Sequence, residues 1–353
     1  MLYRLLFRLV LRRIPPETAH LLAARALRPL GRLPARRSDP RLHVRALGLT
    51  FPSPLGVAAG LDKDVTAFAG LGALGFGFVE VGTITARPQP GNPPPRVARL
   101  PVDRALWNSM GFPNAGAEVA AARLARRAGT LVGVNVGKSR AVDVDDAGAD
   151  YRACVRAVAP VADYLVLNVS SPNTPGLRTM QSVTRLAALL DAVEDELRAL
   201  ERRPPLLVKL APDLSDAELD ALADLALERE LDGLIAVNTT LAREGLISQA
   251  PAHGGISGAP VKPRALAVLR RLRARVGDGL VLISVGGIET ADDALERIRA
   301  GATLVQAYTG FVYGGPLWPA RINRALARRV TQAGARSIAE LIGADAPAAV
   351  SAA

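Results

Sequence analysis

The chain has 353 residues, 49% of them hydrophobic, and its 44 Lys and Arg outnumber 33 Asp and Glu for a net charge of +11. A lone cysteine, Cys154, excludes a disulfide framework or a cysteine metal cluster, and three histidines, His20, His43 and His253, show no ligand spacing. With 4% aromatics and no recognition module, nucleic acid is not an expected partner, so a pI near 10.6 points instead to an anionic surface or substrate.

Residues 2–14, LYRLLFRLVLRRI, predict a helix with Arg4, Arg8 and Arg12 on one face and Leu2, Leu5, Leu6, Leu9 and Val10 filling the rest. Pro15 and Pro16 end it and open a second helix, Glu17–Leu30. The arginines interrupt any signal-peptide core, so export is not expected. No apolar run in the chain reaches the ~18 residues of a membrane span. A basic amphipathic pair reads either as a membrane-surface anchor or as two helices packed on their own domain. Residues 34–39 read as a linker and 44–51 as a short strand pair or lead-in.

From Leu55 a repeating unit begins. Apolar runs lie at Leu55–Ala59, Phe78–Val81, Leu131–Val136, Tyr164–Val169, Leu206–Leu210, Leu234–Val237, Leu280–Val285 and Leu304–Ala307. Helical stretches separate most of them, at Val183–Arg202, Asp216–Glu230, Pro263–Val276 and Ala291–Ala300. Eight buried strands alternating with helices predict an α/β fold of the (β/α)8 TIM barrel type. A doubly wound sheet lacks support, because no Gly-x-Gly-x-x-Gly turn follows the first strand. One excursion, Arg87–Phe112, is too long for a plain connection.

Polar residues follow the runs: Gly60-Leu61-Asp62-Lys63, Gly82-Thr83, Asn135, Asn168 with Ser171 and Asn173, Lys209, Asn238-Thr239, Gly286-Gly287 and Tyr308-Thr309-Gly310. Any one of them reads as a cap. Lysines at two strand ends and amides at three, on one rim, have no use in a core and predict a ligand site. The glycines after runs seven and eight suit a phosphate. Only four lysines occur, Lys63, Lys138, Lys209 and Lys262, so each stands out against an arginine background. Ser171 lies in DYLVLNVSSPNTPGLRTM, where a buried strand breaks into hydroxyls and amides; a polar turn is the plain alternative. A Ser-His-Asp hydrolase fails for want of a placed histidine and of a Gly-x-Ser-x-Gly elbow. A metal-assisted base fails for want of ligand clusters.

The chain resembles the dihydroorotate dehydrogenases, and among them the quinone-dependent, membrane-associated class 2. The resemblance rests on PLGVAAGLDKD (54–64), FGFVEVGTITARPQPGNPPPR (76–96), NSMGF (108–112), GVNVGK (133–138), NVSSPNTPGLR (168–178), VKLAPDLS (208–215), VNTT (237–240), GGISG (254–258), SVGGI (284–288) and LVQAYTGFVYGGP (304–316). It implies oxidation of dihydroorotate to orotate in pyrimidine synthesis, with FMN at the barrel mouth and a membrane quinone as final acceptor. FMN contacts are implied for Ala59, Gly60, Lys63, Thr83, Asn135, Asn168, Lys209, Gly258, Gly287, Tyr308 and Thr309. Substrate contacts are implied for Lys63, Asn108, Ser109, Met110, Gly111, Phe112, Asn168, Asn173, Asn238 and Thr239. Amides suit the pyrimidine because each offers a donor and an acceptor.

Ser171 holds the position of the catalytic base, where class 1 enzymes resembling this chain have cysteine. A serine is a poor base alone, so Thr174, a water and the dry pocket near Phe112 are expected to help relay the proton. His20 and Arg99 match positions lining a quinone tunnel, with Tyr308 at its inner end. Two departures from the family pattern are Ser109, where relatives have arginine, and Val237, where many have threonine. The implied organisation is a membrane-associated segment at 1–38, an FMN-binding barrel at 39–340 and a tail at 341–353. Peripheral attachment to the cytoplasmic side of the inner membrane follows, through its anionic surface, with no metal and no obligatory protein subunit. The competing expectation is a cytosolic class 1 enzyme using fumarate or NAD.

Overall fold

The computed structural model describes residues 2–33, 36–127 and 129–346. The start of the expected linker (34–35), the side chains of Leu2 and Arg4, and most of the expected tail (347–353) lie outside the described residues.

The eight apolar runs become eight parallel strands: β1 (Leu55–Val57), β2 (Phe78–Ile84), β3 (Leu131–Val136), β4 (Tyr164–Asn168), β5 (Leu206–Leu210), β6 (Gly233–Ala236), β7 (Val281–Val285) and β8 (Leu304–Ala307). Each pairs with its neighbours in chain order and β8 closes on β1, giving a closed barrel. Most are buried at every position, which is why they read as continuous apolar runs without alternation. Helices cover the outside. Two of them, Asp216–Glu228 and Ala291–Arg299, start on capping boxes, Ser215 with Glu218 and Thr290 with Asp293.

Aromatic rings fill the bottom of the barrel. Phe78 and Tyr164 stack edge-on at 6.3 Å, and Phe51 reaches Phe78 at 5.1 Å from the antiparallel pair Val44–Ala46 and Leu49–Phe51. Gly133 makes room for this layer, since a Cβ there would meet the Tyr164 ring at 2.0 Å. The lead-in at 44–51 is therefore the plug of the barrel's lower end.

Two elements differ from expectation. The first helix stops at Leu9, and after Val10 (φ −118°) the chain continues as a 3-10 turn, Leu11–Arg13. Arg12 thus leaves the face it was expected to share with Arg8. The second helix runs Pro16–Leu30. The excursion contains an antiparallel pair, Val97–Leu100 and Ala105–Asn108, to which Gly255–Gly258 adds a third strand. At the other end Leu341 is buried and Asp345 pairs with Arg299 at 2.5 Å, so the chain stays on the barrel through that point.

Candidate functional site

A cavity of about 610 Å³ runs from between the two N-terminal helices to the C-terminal mouth of the barrel. All but two of the residues that the resemblance implies for flavin, substrate, base and tunnel border it. The exceptions, Asn135 and Ser109, are set back. Asn135 is fully buried behind Thr83 and Asn168, with both amide atoms bonded to protein. The Ser109 hydroxyl accepts from Asn92 at 3.3 Å and its N–H donates to the Arg96 carbonyl at 2.8 Å.

Below the mouth the strands carry an internal polar layer. Glu80, fully buried on β2, accepts from Asn135 Nδ2 at 2.8 Å, from Gln306 Nε2 at 2.6 Å and from Lys209 Nζ at 3.3 Å. Thr83 donates to Asn135 Oδ1 at 2.6 Å and accepts from Asn168 Nδ2 at 2.9 Å. Lys209 is thus a buried cation with one carboxylate partner, and its tip borders the cavity. Neither Glu80 nor Gln306 was singled out from the sequence. Each was visible as a polar residue inside an apolar strand.

At the mouth a second set of amides converges. Asn173 Nδ2 donates to Asn108 Oδ1 at 2.9 Å, and Asn238 Nδ2 donates to the Ser170 hydroxyl at 3.0 Å. The Ser171 hydroxyl, 5% exposed, accepts the Asn173 N–H at 3.2 Å. Two buried atoms here have no partner among the described residues, Asn173 Oδ1 and Thr174 Oγ1. Arg178 braces the loop, reaching the Ser170 carbonyl at 3.1 Å, Thr239 O at 2.9 Å and Asp213 at 2.7 Å. Phe112 packs over the mouth in a left-handed conformation (φ 54°), its carbonyl held by Gln89.

Lys63 projects into the same cavity and makes no hydrogen bond or ion pair among the described residues. Burial pushes its ammonium down to about 8, against the opposing pull of Glu17 and Asp64. Its neighbour Asp62 turns away, accepting the N–H groups of Thr66, Ala67 and Phe68. On the other side, Gly287, Thr309 and Gly310 border the cavity, and their N–H groups have no acceptor among the described residues. Gly258 must be glycine because a Cβ at its φ of 98° would lie 2.4 Å from the Arg104 carbonyl.

The outer part of the cavity belongs to the N-terminal helices. His20 borders it, and burial together with the Lys63 charge lowers its imidazole to about 4, so it is neutral at ordinary pH. Arg99 donates to Ile14 O at 2.8 Å and lies 6.0 Å from the Phe7 ring centroid. Burial pushes the Tyr308 phenol up to about 12. A contact that sequence reasoning missed fixes this wall: Glu17 of the second helix pairs with Arg96 at 2.7 Å. Arg96 also binds the carbonyls of Pro90 and Asn92, so one guanidinium ties the helix to the excursion. Among the described residues no group of His, Cys, Asp and Glu could hold a metal ion. Cys154 is buried beneath Ile84, away from the site.

A sequence model of the family described as dihydroorotate dehydrogenase matches residues 41–330. A protein of Thermobifida fusca named dihydroorotate dehydrogenase (quinone) is 55% identical over 365 residues, covering 98% of this chain and 97% of its own. One of the same name from Rhodococcus opacus is 56% identical, covering 98% and 99%. The crystal structure of ligand-free DHODH from Eimeria tenella matches with a TM-score of 0.88 at 42% identity, covering 94% of this chain and 99% of that one.

Proposed function

The chain belongs to the dihydroorotate dehydrogenase family, and from that premise we propose that it oxidises dihydroorotate to orotate and delivers the electrons to a membrane quinone. The observation that carries this reading is the single cavity whose walls are the two N-terminal helices at one end and Ser171 with its amides at the other. A soluble class 1 enzyme using fumarate or NAD is set aside: the relatives carry the quinone name, and their similarity extends over 98% of the chain.

The group this chemistry calls for is FMN, and the residues fit it. Three free N–H groups, at Gly287, Thr309 and Gly310, suit a phosphate. Lys209 and the Thr83–Asn168 pair would face the ring system. When bound, FMN supplies the hydride acceptor and the relay of electrons to quinone.

The protein's own part is to position substrate and move a proton. Asn108, Asn173, Asn238 and Thr239 offer donors and acceptors around one space, and the buried, unpartnered Asn173 oxygen is placed to accept a ring N–H. Lys63 supplies a cation for the carboxylate. Ser171 takes the proton from carbon 5 while carbon 6 gives up hydride. The Asn173 N–H at its oxygen favours developing negative charge there. Thr174, with its hydroxyl free, is the next station for the proton.

Membrane attachment belongs to the same proposal. Residues 1–37 hold nine arginines against one glutamate, a net +8 of the chain's +11. Leu5, Leu6, Leu9, Leu21 and Leu22 on the two helices, and Val10 just after the first, are each about half exposed. No helix among the described residues is long and apolar enough to cross a membrane, and in-plane attachment needs none. The inner face of the cytoplasmic membrane is the proposed location, and no further subunit is proposed.

Dihydroorotate oxidation by the purified protein, with a long-chain quinone, fumarate and NAD offered in turn, tests this reading. Turnover with quinone alone is expected. Turnover with fumarate or NAD at a comparable rate overturns it.

A further inference from the structure

A second cleft, of about 920 Å³, opens on the outside of the barrel and shares no lining residue with the first. Its walls come from the helix Thr309–Gly314, the helix Trp318–Gln332 and the start of Ala291–Arg299. Tyr313 and Trp318 are its aromatic side, and Arg104, Arg321, Arg324 and Arg328 its charged side. The only carboxylate on it, Glu289, is taken by Arg104 at 2.5 Å. Arg321 donates to the Gly314 carbonyl at 2.8 Å. Arg324 and Arg328, both exposed, have no hydrogen bond or ion pair among the described residues.

Arg321, Arg324 and Arg328 fall on one helical face, where like charges at such spacing repel. On the same helix Arg329 points elsewhere and pairs with Asp292 at 2.7 Å, while Arg271, Arg275 and Arg299 pair with Asp220, Asp224 and Asp345. These four are matched by aspartate, whereas Arg324 and Arg328 are not.

The cleft also adjoins the apolar N-terminal face. Phe7 packs on Tyr313 at 5.2 Å between ring centroids, and the Tyr3 hydroxyl donates to the Val312 carbonyl at 2.6 Å. Leu317, next to Trp318, is 64% exposed, and Leu5, Leu6 and Leu9 of the first helix are exposed as well. A cationic recess bordered by exposed apolar side chains matches a molecule that is anionic at its head and apolar below it. We propose that the cleft is a seat for the phosphate of an anionic phospholipid, held by the guanidinium forks of Arg324 and Arg328. The seat would fix how the N-terminal helices lie on the bilayer. It rests on the reading that those helices meet a membrane.

The test compares vesicles of pure phosphatidylcholine with vesicles containing phosphatidylglycerol, in co-sedimentation with the full-length holoenzyme. Each basic residue near such a surface contributes about fivefold in affinity, so Arg324→Gln with Arg328→Gln should weaken binding to the anionic vesicles roughly 25-fold. Binding to neutral vesicles and dihydroorotate oxidation by a water-soluble acceptor should not change. A control pair, Arg126→Gln with Arg203→Gln, removes equal charge from exposed positions outside the cleft and should have little effect. Equal losses in both pairs, or none in either, overturn the seat while leaving membrane binding intact. If glycerol phosphate stabilises the wild type but not the cleft variant, with vesicle binding unaffected, the cleft is a free-anion site and the proposal falls. If the wild type binds neither vesicle, the membrane reading falls with it.

Discussion

Glu80→Gln is the most informative single change in the barrel. It keeps the shape of the side chain but removes the counter-charge of Lys209, whose side chain is 4% exposed. It also sets an amide NH2 against a site where three donors converge, from Asn135, Gln306 and Lys209. Breaking a buried ion pair from one side costs about 3–5 kcal/mol, because the surviving charge is left uncompensated. At about 2 °C per kcal/mol for a chain of this size, the melting temperature should fall by roughly 6–10 °C. Lys209→Met should cost a similar amount, since it leaves the carboxylate unpaired. The double variant removes both charges, so it should recover at least half of the summed loss, a coupling of about 3 kcal/mol or more. Guanidinium unfolding of the four proteins measures this. Additive losses, or a single-variant loss below about 1 kcal/mol, would show that the Glu80–Lys209 pair is not the internal support of the site.

Three other outcomes follow from the site. Ser171→Ala should retain bound flavin but reduce it roughly 10²–10⁴-fold more slowly with dihydroorotate in stopped flow, the usual worth of a general base; near-normal reduction removes Ser171 from that role. Lys63, lowered to about 8 by burial, carries its charge below that pH and loses it above, so dihydroorotate affinity should be full on the acid side and fall up to tenfold per pH unit beyond about 8. The fall should vanish in Lys63→Met, and a flat profile in the wild type would show that the ammonium does not hold the substrate. Deleting residues 1–38 removes the wall built by His20 and its helix but no residue of the barrel mouth; flavin reduction should persist while long-chain quinone turnover drops sharply, and full quinone turnover would mean that the helices are ordinary packing.

The barrel was legible in the chain because its strands are buried on both faces, and burial of that kind leaves a local mark, an unbroken run of Val, Leu and Ile. The rim was legible for the complementary reason. Asn168, Lys209 and Asn238 end such runs with groups no core accepts, and one polar residue at each strand end is enough to draw a ring once the strands close. The family resemblance then named those residues, and the fold brings them to one cavity. Helix starts at Ser215 and Thr290 were likewise local, written in a hydroxyl and an acidic residue three positions on.

What the tertiary structure alone decided are pairings between residues far apart in the chain. Glu80 is a carboxylate inside an apolar strand, and its partners Lys209, Asn135 and Gln306 come from three other strands. Glu17 and Arg96, 79 residues apart, carry no mark of their partnership, yet together they join the second helix to the excursion. The sheet of Val97–Leu100, Ala105–Asn108 and Gly255–Gly258 was unreadable because its third strand lies in a different loop. The same holds for the arginine cleft. Four arginines lie between positions 321 and 329 of the sequence, but only folding showed that Asp292 turns to Arg329 and leaves Arg324 and Arg328 unmatched. Patterns of burial repeat along a chain and can be read from it, whereas an ion pair is specified by two side chains meeting in space, and the spacing of the sequence does not say which two.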